Sequence, residues 1–339
     1  MAENYQYLWF RRLGLLASIL ALAAVMLGAW VRLSDAGLGC PDWPGCYGHM
    51  TVPTVRLEIF DANQAFPERP VETSKAWKEM IHRYFAGTLG LLIVAMAVLA
   101  LLNRRDHRQP VLLPLFLLGL VIFQALLGMW TVTLQLKPLV VMGHLLGGFA
   151  TLALLWWLFL STRDSVNKLL FIQINLLPWA VLGLTLLIIQ IALGGWTSSN
   201  YAALACPDFP TCQGKWWPDV DFSEAFVLWR GLDVNYEFGV LEHPARTAIH
   251  LTHRLGAVVV AGYLLWLGIT AIRQLSGVAA SIACVVICLV LIQFSLGVSN
   301  VIFHLPLPVA VLHNAVAALL LLALLSFLFY LKRVRVIKT

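Results

Sequence analysis

The chain has 339 residues, 60% of them hydrophobic and only 12% charged, with a mean hydropathy of +0.83. That is more apolar surface than one water-soluble core can hide, which excludes a disordered chain, a nucleic-acid-binding module and a soluble Rossmann enzyme. The net charge of +6 carries its meaning in where the charges fall, not in the total.

About 20 apolar residues cross the roughly 30 Å of hydrocarbon in a bilayer. Uncharged runs of that length recur eight times, and the fold class read from them is an all-α integral membrane protein. The first run, 13–31, follows Arg11 and Arg12 but is longer than the core of a cleavable signal, so it reads as a retained span. A long segment, 34–79, rich in Pro, Trp and acidic residues, comes next and reads as an ordered cap or short amphipathic helices. Spans at 84–102, 111–134 and 139–160 complete a first half of residues 1–165. The second half, 166–339, repeats the plan with spans at 169–196, 255–272, 277–303 and 307–331 and a long segment at 197–247. The connection near 161–168 joins the two. With the amino terminus inside, the inner segments hold 12 basic and 3 acidic residues and the outer ones 11 basic and 14 acidic. This is the asymmetry of the positive-inside rule, so both termini are expected in the cytoplasm and both long loops outside.

The halves also match residue by residue. Leu27-Gly28-Ala29-Trp30 and the run Leu38 to Gly48 recur at an offset of 166 as Leu193-Gly194-Gly195-Trp196 and Leu204 to Gly214. His82-Arg83 finds His253-Arg254 at 171, and Gln124, Gly128 and His144 find Gln293, Gly297 and His313 at 169. Two duplicated four-helix bundles in parallel topology account for the pattern.

Four histidines, His82, His144, His253 and His313, lie near the outer starts of the second, fourth, sixth and eighth spans. Two neutral imidazoles on facing helices, with no cysteine or carboxylate cluster beside them, suit bis-histidine ligation of a heme iron better than tetrahedral zinc. Arg83 and Arg254 follow the ligand candidates; pairing with heme propionates and anchoring at the interface are the two readings for them. One turn before His82 stands Glu79, whereas His250 stands before His253. A carboxylate at a heme edge can stabilise developing positive charge or accept a proton, so the first half reads as catalytic and the second as a redox-holding copy. The bland alternative for Glu79 is a carboxylate answering the helix dipole. Cys40 with Cys46 and Cys206 with Cys212 each bracket Pro-Asp-aromatic-Pro and read as disulfides on the oxidising side; a structural clip and a redox or heme-handling role both stand. Cys284 and Cys288 read as packing residues. Trp30 and Trp196 line a cofactor pocket or belong to the aromatic belt. Gln124 and Gln293 are placed to bond across helices.

This constellation, with Glu79-Met80-Ile81-His82-Arg83 and a second His-Arg at 253, resembles the heme A synthase family over nearly the whole chain. The resemblance implies that His82 and His144 face heme O as substrate, and that Glu79 takes part in oxidising its C8 methyl to a formyl group. It further implies that His253 and His313 ligate a heme b cofactor and that the product, heme A, serves terminal oxidases. A bacterial inner-membrane enzyme surrounded by lipid follows, with a heme O synthase and oxidase assembly factors as partners, no nucleic acid, and homo-oligomerisation left open. Both cysteine pairs are present, which is not so in every member. Without the resemblance, the residues support a di-heme protein with one reactive half. They then leave room for a b-type cytochrome carrying electrons from quinol, or for a heme transporter.

Overall fold

The computed structural model describes residues 5–162, 169–171, 175–231, 234–333 and 335–337. Eight helices among them are long and apolar enough to cross a membrane. They are α1 (Tyr5–Leu33), α3 (Thr73–Leu102), α4 (Leu112–Thr133), α5 (Pro138–Ser161), α6 (Leu177–Ser199), α8 (His243–Gln274), α9 (Val278–Ile302) and α10 (Leu307–Arg333). The long segments each carry a short helix, α2 (Arg56–Ala65) and α7 (Phe222–Ala225), and Asp221 caps the latter by accepting from the amides of Ser223 and Glu224. The all-helical membrane architecture expected from hydropathy is therefore present.

Three boundaries differ from the sequence reading. Helix α3 begins at Thr73 and α8 at His243, so the ends of the expected loops 34–79 and 197–247 are helical. The polar stretch before each span hides its helical period from a hydropathy count. It nevertheless buries a face, with Ala76, Glu79 and Met80 inside in α3 and Ala245, Ala248 and Ile249 in α8. Helix α6 starts at Leu177 and not at 169. Asn175 accepts the Leu177 amide at 3.1 Å, and Pro178 sits in the first turn, where its missing N–H costs nothing. Residues Leu169–Phe171 instead form a strand, β1, paired in parallel with β2 (Arg335–Ile337). The expected boundary between halves at 165 lies outside the described residues, as do the charges of Glu3, Arg163, Asp164, Lys168 and Lys338.

Helices α1, α3, α4 and α5 pack as one set and α6, α8, α9 and α10 as another, and α1, α5, α6 and α10 form the seam between them. Helix α10 is the most enclosed, with 67% of its most apolar stretch buried. Lipid tails are as apolar as leucine, so helices in a bilayer associate by close packing, which small residues permit. Ala17 and Ala21 of α1, Ala180 of α6 and Ala318 of α10 supply such contacts in the common core.

Candidate functional site

Each long segment folds back onto the next helix by the same device. Disulfides join Cys40 to Cys46 and Cys206 to Cys212. Inside each loop the aspartate of Pro-Asp-aromatic-Pro accepts two backbone amides. Asp42 takes those of Tyr47 and Gly48 at 2.6 and 2.8 Å, and Asp208 those of Gln213 and Gly214 at 2.5 and 3.1 Å. Gly48 and Gly214 have φ of 78° and 71°, a left-handed turn that glycine adopts without a Cβ penalty.

The loop is then latched to the helix. Glu79 is 5% exposed; its Oε2 accepts the Cys40 amide at 3.0 Å and its Oε1 the Arg83 guanidinium at 2.5 Å. Arg83 donates in turn to the carbonyls of Asp42, Pro44 and Gly45. In the second half His250 takes the place of Glu79: its Nδ1 accepts the Cys206 amide at 3.2 Å and its Nε2 lies 3.4 Å from Arg254 Nε. Arg254 donates to the carbonyls of Thr211 and Cys206. Glu79 and His250 thus fill one structural position with different chemistry.

The four expected histidines come together in pairs. His82 of α3 and His144 of α5 have ring centroids 6.3 Å apart at an interplanar angle of 90°. His253 of α8 and His313 of α10 are their counterparts, steadied from neighbouring helices. Gln190 Nε2 lies 3.0 Å from His253 Nδ1 and donates to the His253 carbonyl at 2.9 Å, and Gln293 Nε2 lies 3.3 Å from His313 Nε2. His82 sits more than two turns into α3, not at its start as the hydropathy count implied. Each ring also rests against a glycine of an adjacent helix. A Cβ at Gly28, Gly128, Gly194 or Gly297 would lie 3.1 to 3.3 Å from Cε1 of His82, His144, His253 or His313 respectively. These glycines recur in the duplication, Gly28 and Gly194 at an offset of 166 and Gly128 and Gly297 at 169, and that recurrence was the available signal for a role that sequence reasoning did not give them.

All four imidazoles line one cavity of about 1230 Å³ that runs through both halves. This exceeds the roughly 300–1,000 Å³ of a pocket for a single drug-sized ligand. Glu79 is the one carboxylate among its described lining residues. His82, His144 and His313 each keep a buried Nδ1 without a hydrogen-bond partner, and no group of three or more acidic, His or Cys side chains gathers as a metal cage among the described residues. Paired imidazoles, relieved of crowding by glycine and facing a mostly apolar space, fit the axial ligation of a heme and do not fit tetrahedral zinc. Trp43 and Phe209, the loop aromatics, stand at the cavity's loop end, and its lining reaches the outside of the bundle at Val94 and Ile122 and at Val258 and Phe294.

Other expectations resolve differently. Trp196 is buried and donates to the Ala225 carbonyl at 2.9 Å, beneath α7, and neither Trp30 nor Trp196 lines the cavity. Cys284 and Cys288 are free and exposed on the outside of the bundle, so they are not core packing residues; their small apolar side chains face what hydropathy assigns to lipid. Gln293 contacts His313 across helices as expected, whereas Gln124 lines the cavity with a buried Nε2 that has no hydrogen-bond partner.

A family model described as cytochrome oxidase assembly protein, COX15-CtaA, matches residues 11–325. The chain is 48% identical over 328 residues to a protein of Shewanella oneidensis named heme A synthase, covering 96% of this chain and 97% of that one. Proteins of the same name from Caulobacter vibrioides and Shouchella clausii are each 26% identical, over 337 and 322 residues. They are covered to 94% and 93%, by 94% and 91% of this chain.

Proposed function

Because this chain belongs to the COX15-CtaA family of cytochrome oxidase assembly proteins, and with it to the heme A synthases, we propose that it oxidises the C8 methyl of heme O to the formyl group of heme A in its first half while its second half holds heme b. The observation that carries the division of labour is the carboxylate: the four candidate ligands line one cavity in two matched pairs, the first pair has Glu79 as an acidic neighbour in that lining, and the second has His250 there instead.

In this reading His82 and His144 bind and orient heme O, and His253 and His313 hold the cofactor. Heme b bound there would supply one-electron redox chemistry. Gln190 and Gln293 pack against the second pair through the contacts described above. Turning a methyl into a formyl group adds one oxygen, removes two hydrogens and withdraws four electrons, which an external oxidant takes up, and a proton acceptor beside the reacting carbon receives the proton that leaves it. Glu79 is that group: it is buried, it borders the cavity, and its latch to Arg83 and Cys40 fixes the carboxylate's position. Arg83 keeps the loop closed over the first half and, through Glu79, keeps the acceptor aimed.

The charge asymmetry supports an inner-membrane enzyme with both termini in the cytoplasm and the disulfide loops outside. Heme O then comes from a heme O synthase and the product goes to oxidase assembly factors. The test is to identify the heme extracted from purified protein made with and without a supply of heme O. Heme b alone without heme O, and heme b with heme A when heme O is supplied, is the expected result. Two permanent hemes b under both conditions would refute the reading.

A further inference from the structure

Three cations line the cavity among the described residues, Arg32, Arg83 and Arg254, and the sequence singled out only the last two. Both of those are occupied. Arg83 holds three loop carbonyls and Glu79 through its two terminal nitrogens. All three nitrogens of Arg254 have partners in His250, Thr211 and Cys206. A carboxylate reaching either guanidinium would have to displace the contacts that latch a disulfide loop.

Arg32 is different. It is one turn beyond Gly28 on α1, and the i, i+4 spacing puts both on one face of that helix. Gly28 is the residue that rests against the His82 ring. The guanidinium therefore lies to the loop side of the first histidine pair, where a planar ligand held through His82 would present an edge. Its side chain is 15% exposed. One terminal nitrogen donates to the Ser198 carbonyl at 2.6 Å, at the end of α6 across the seam. Its plane packs over the Tyr201 ring at 4.0 Å. The other terminal nitrogen has only a long contact of 3.9 Å to the half-exposed Asp35, and Nε is buried with no partner. A cation held in place on one side, with an unsatisfied N–H on the other, has the donor set that receives a carboxylate.

We propose that Arg32 binds a carboxylate of the substrate macrocycle in the first half and so sets the rotation of that macrocycle about the His82 axis, which decides which ring substituent faces Glu79. This rests on the heme A synthase reading. Arg32 is a binding and orienting residue here. It is not an acid or base.

The test compares heme O with its propionate diester by visible titration of detergent-purified parent protein, Arg32→Gln and Arg32→Lys. The parent is expected to prefer the free acid by roughly ten- to a hundredfold, the range of one charge-assisted contact. Arg32→Gln should bring that ratio close to one by weakening the acid and leaving the ester unchanged. If the Gln variant folds poorly, the Lys variant still decides, because it keeps the charge but loses the planar fork and should retain only part of the preference. An acid-to-ester ratio equal to that of the parent, in whichever variant folds, would overturn the assignment of Arg32 while leaving heme A formation by the parent intact. A parent protein that binds neither compound, or that forms no heme A in cells supplied with heme O, would overturn the heme A synthase reading and the Arg32 proposal with it.

Discussion

Replacing Glu79 with His places in the first half the residue type that position 250 holds in the second. The substitution separates two roles that removal of the side chain would confound. Glu79 is 5% exposed and binds both Arg83 and the Cys40 amide, and breaking a buried ion pair by deleting one partner costs about 3–5 kcal/mol. Deletion would therefore unlatch the loop whatever the catalytic role. An imidazole performs the same latch at position 250, accepting the Cys206 amide at 3.2 Å with Arg254 at 3.4 Å. Glu79→His is thus expected to insert with a parental yield of heme b, read from its low-spin spectrum, and to bind heme O. Conversion to heme A, followed by chromatography of extracted heme, should fall about a hundredfold, the scale of one transition-state charge interaction of about 3 kcal/mol. Glu79→Gln, which keeps an acceptor for the Cys40 amide, should behave in the same way. Heme A formation at the parental rate in either variant would refute the catalytic assignment, and parallel loss of folded protein, heme b and heme A in both would leave Glu79 a latch and nothing more.

Alanine at Gly28 or Gly194 puts a methyl 3.1 Å from Cε1 of His82 or His253; overpacking of this kind costs about 1–3 kcal/mol, and Gly194→Ala should shift or broaden the low-spin heme b signal, so an unchanged spectrum and occupancy would remove the packing role. Alanine at His253 or His313 should abolish or convert that spectrum while the protein still inserts, and persistence of the signal in both variants would rule out the pair. A reporter fused after Thr339 should be cytoplasmic; an external reporter would reverse the orientation of both sites. The Asp208 carboxylate is held below its ordinary pKa by the Thr211 hydroxyl and by the amides of Gly214 and Gln213. Its contribution is therefore complete above the free aspartate value of about 3.9 and lost as pH falls through the lowered value. Protection of the Gln213 and Gly214 amides, taken as the intrinsic exchange rate over the observed one at the same pH, should stay flat from neutral pH to about 5 and fall only below the free-aspartate range; loss of protection near neutrality would refute this.

The eight spans were legible because burial in lipid leaves a long uninterrupted apolar run, and the histidines were legible because each recurs at a fixed offset. Where helix and membrane part company the sequence misled: Thr73–Lys78 is too polar to count as a span, yet it continues α3 as an amphipathic extension under the disulfide loop. The glycines under the four rings were visible as repeats, but a missing side chain names no partner, and only the packing shows what occupies the space. Arg83 and Arg254 announced themselves by standing next to histidines, while Arg32 did not, because its significance is the open valence of Nε, which depends on Ser198 and Tyr201 some 166 and 169 residues away in the chain.

Above the cavity the first long segment and the turn between α4 and α5 are both stitched to the second long segment. Arg69 pairs with Glu237 at 2.8 Å, Lys137 donates to the Gly231 carbonyl at 2.6 Å, and the Tyr236 amide donates to the Gln135 carbonyl at 3.1 Å. The flanks at Val94 and Ile122, and at Val258 and Phe294, are apolar and exposed. A ligand passing through a flank enters acyl chains and never meets water, so its traffic is a search in two dimensions. Its rate follows lipid packing and partition coefficient, and is indifferent to the ionic strength that would govern arrival through the roof.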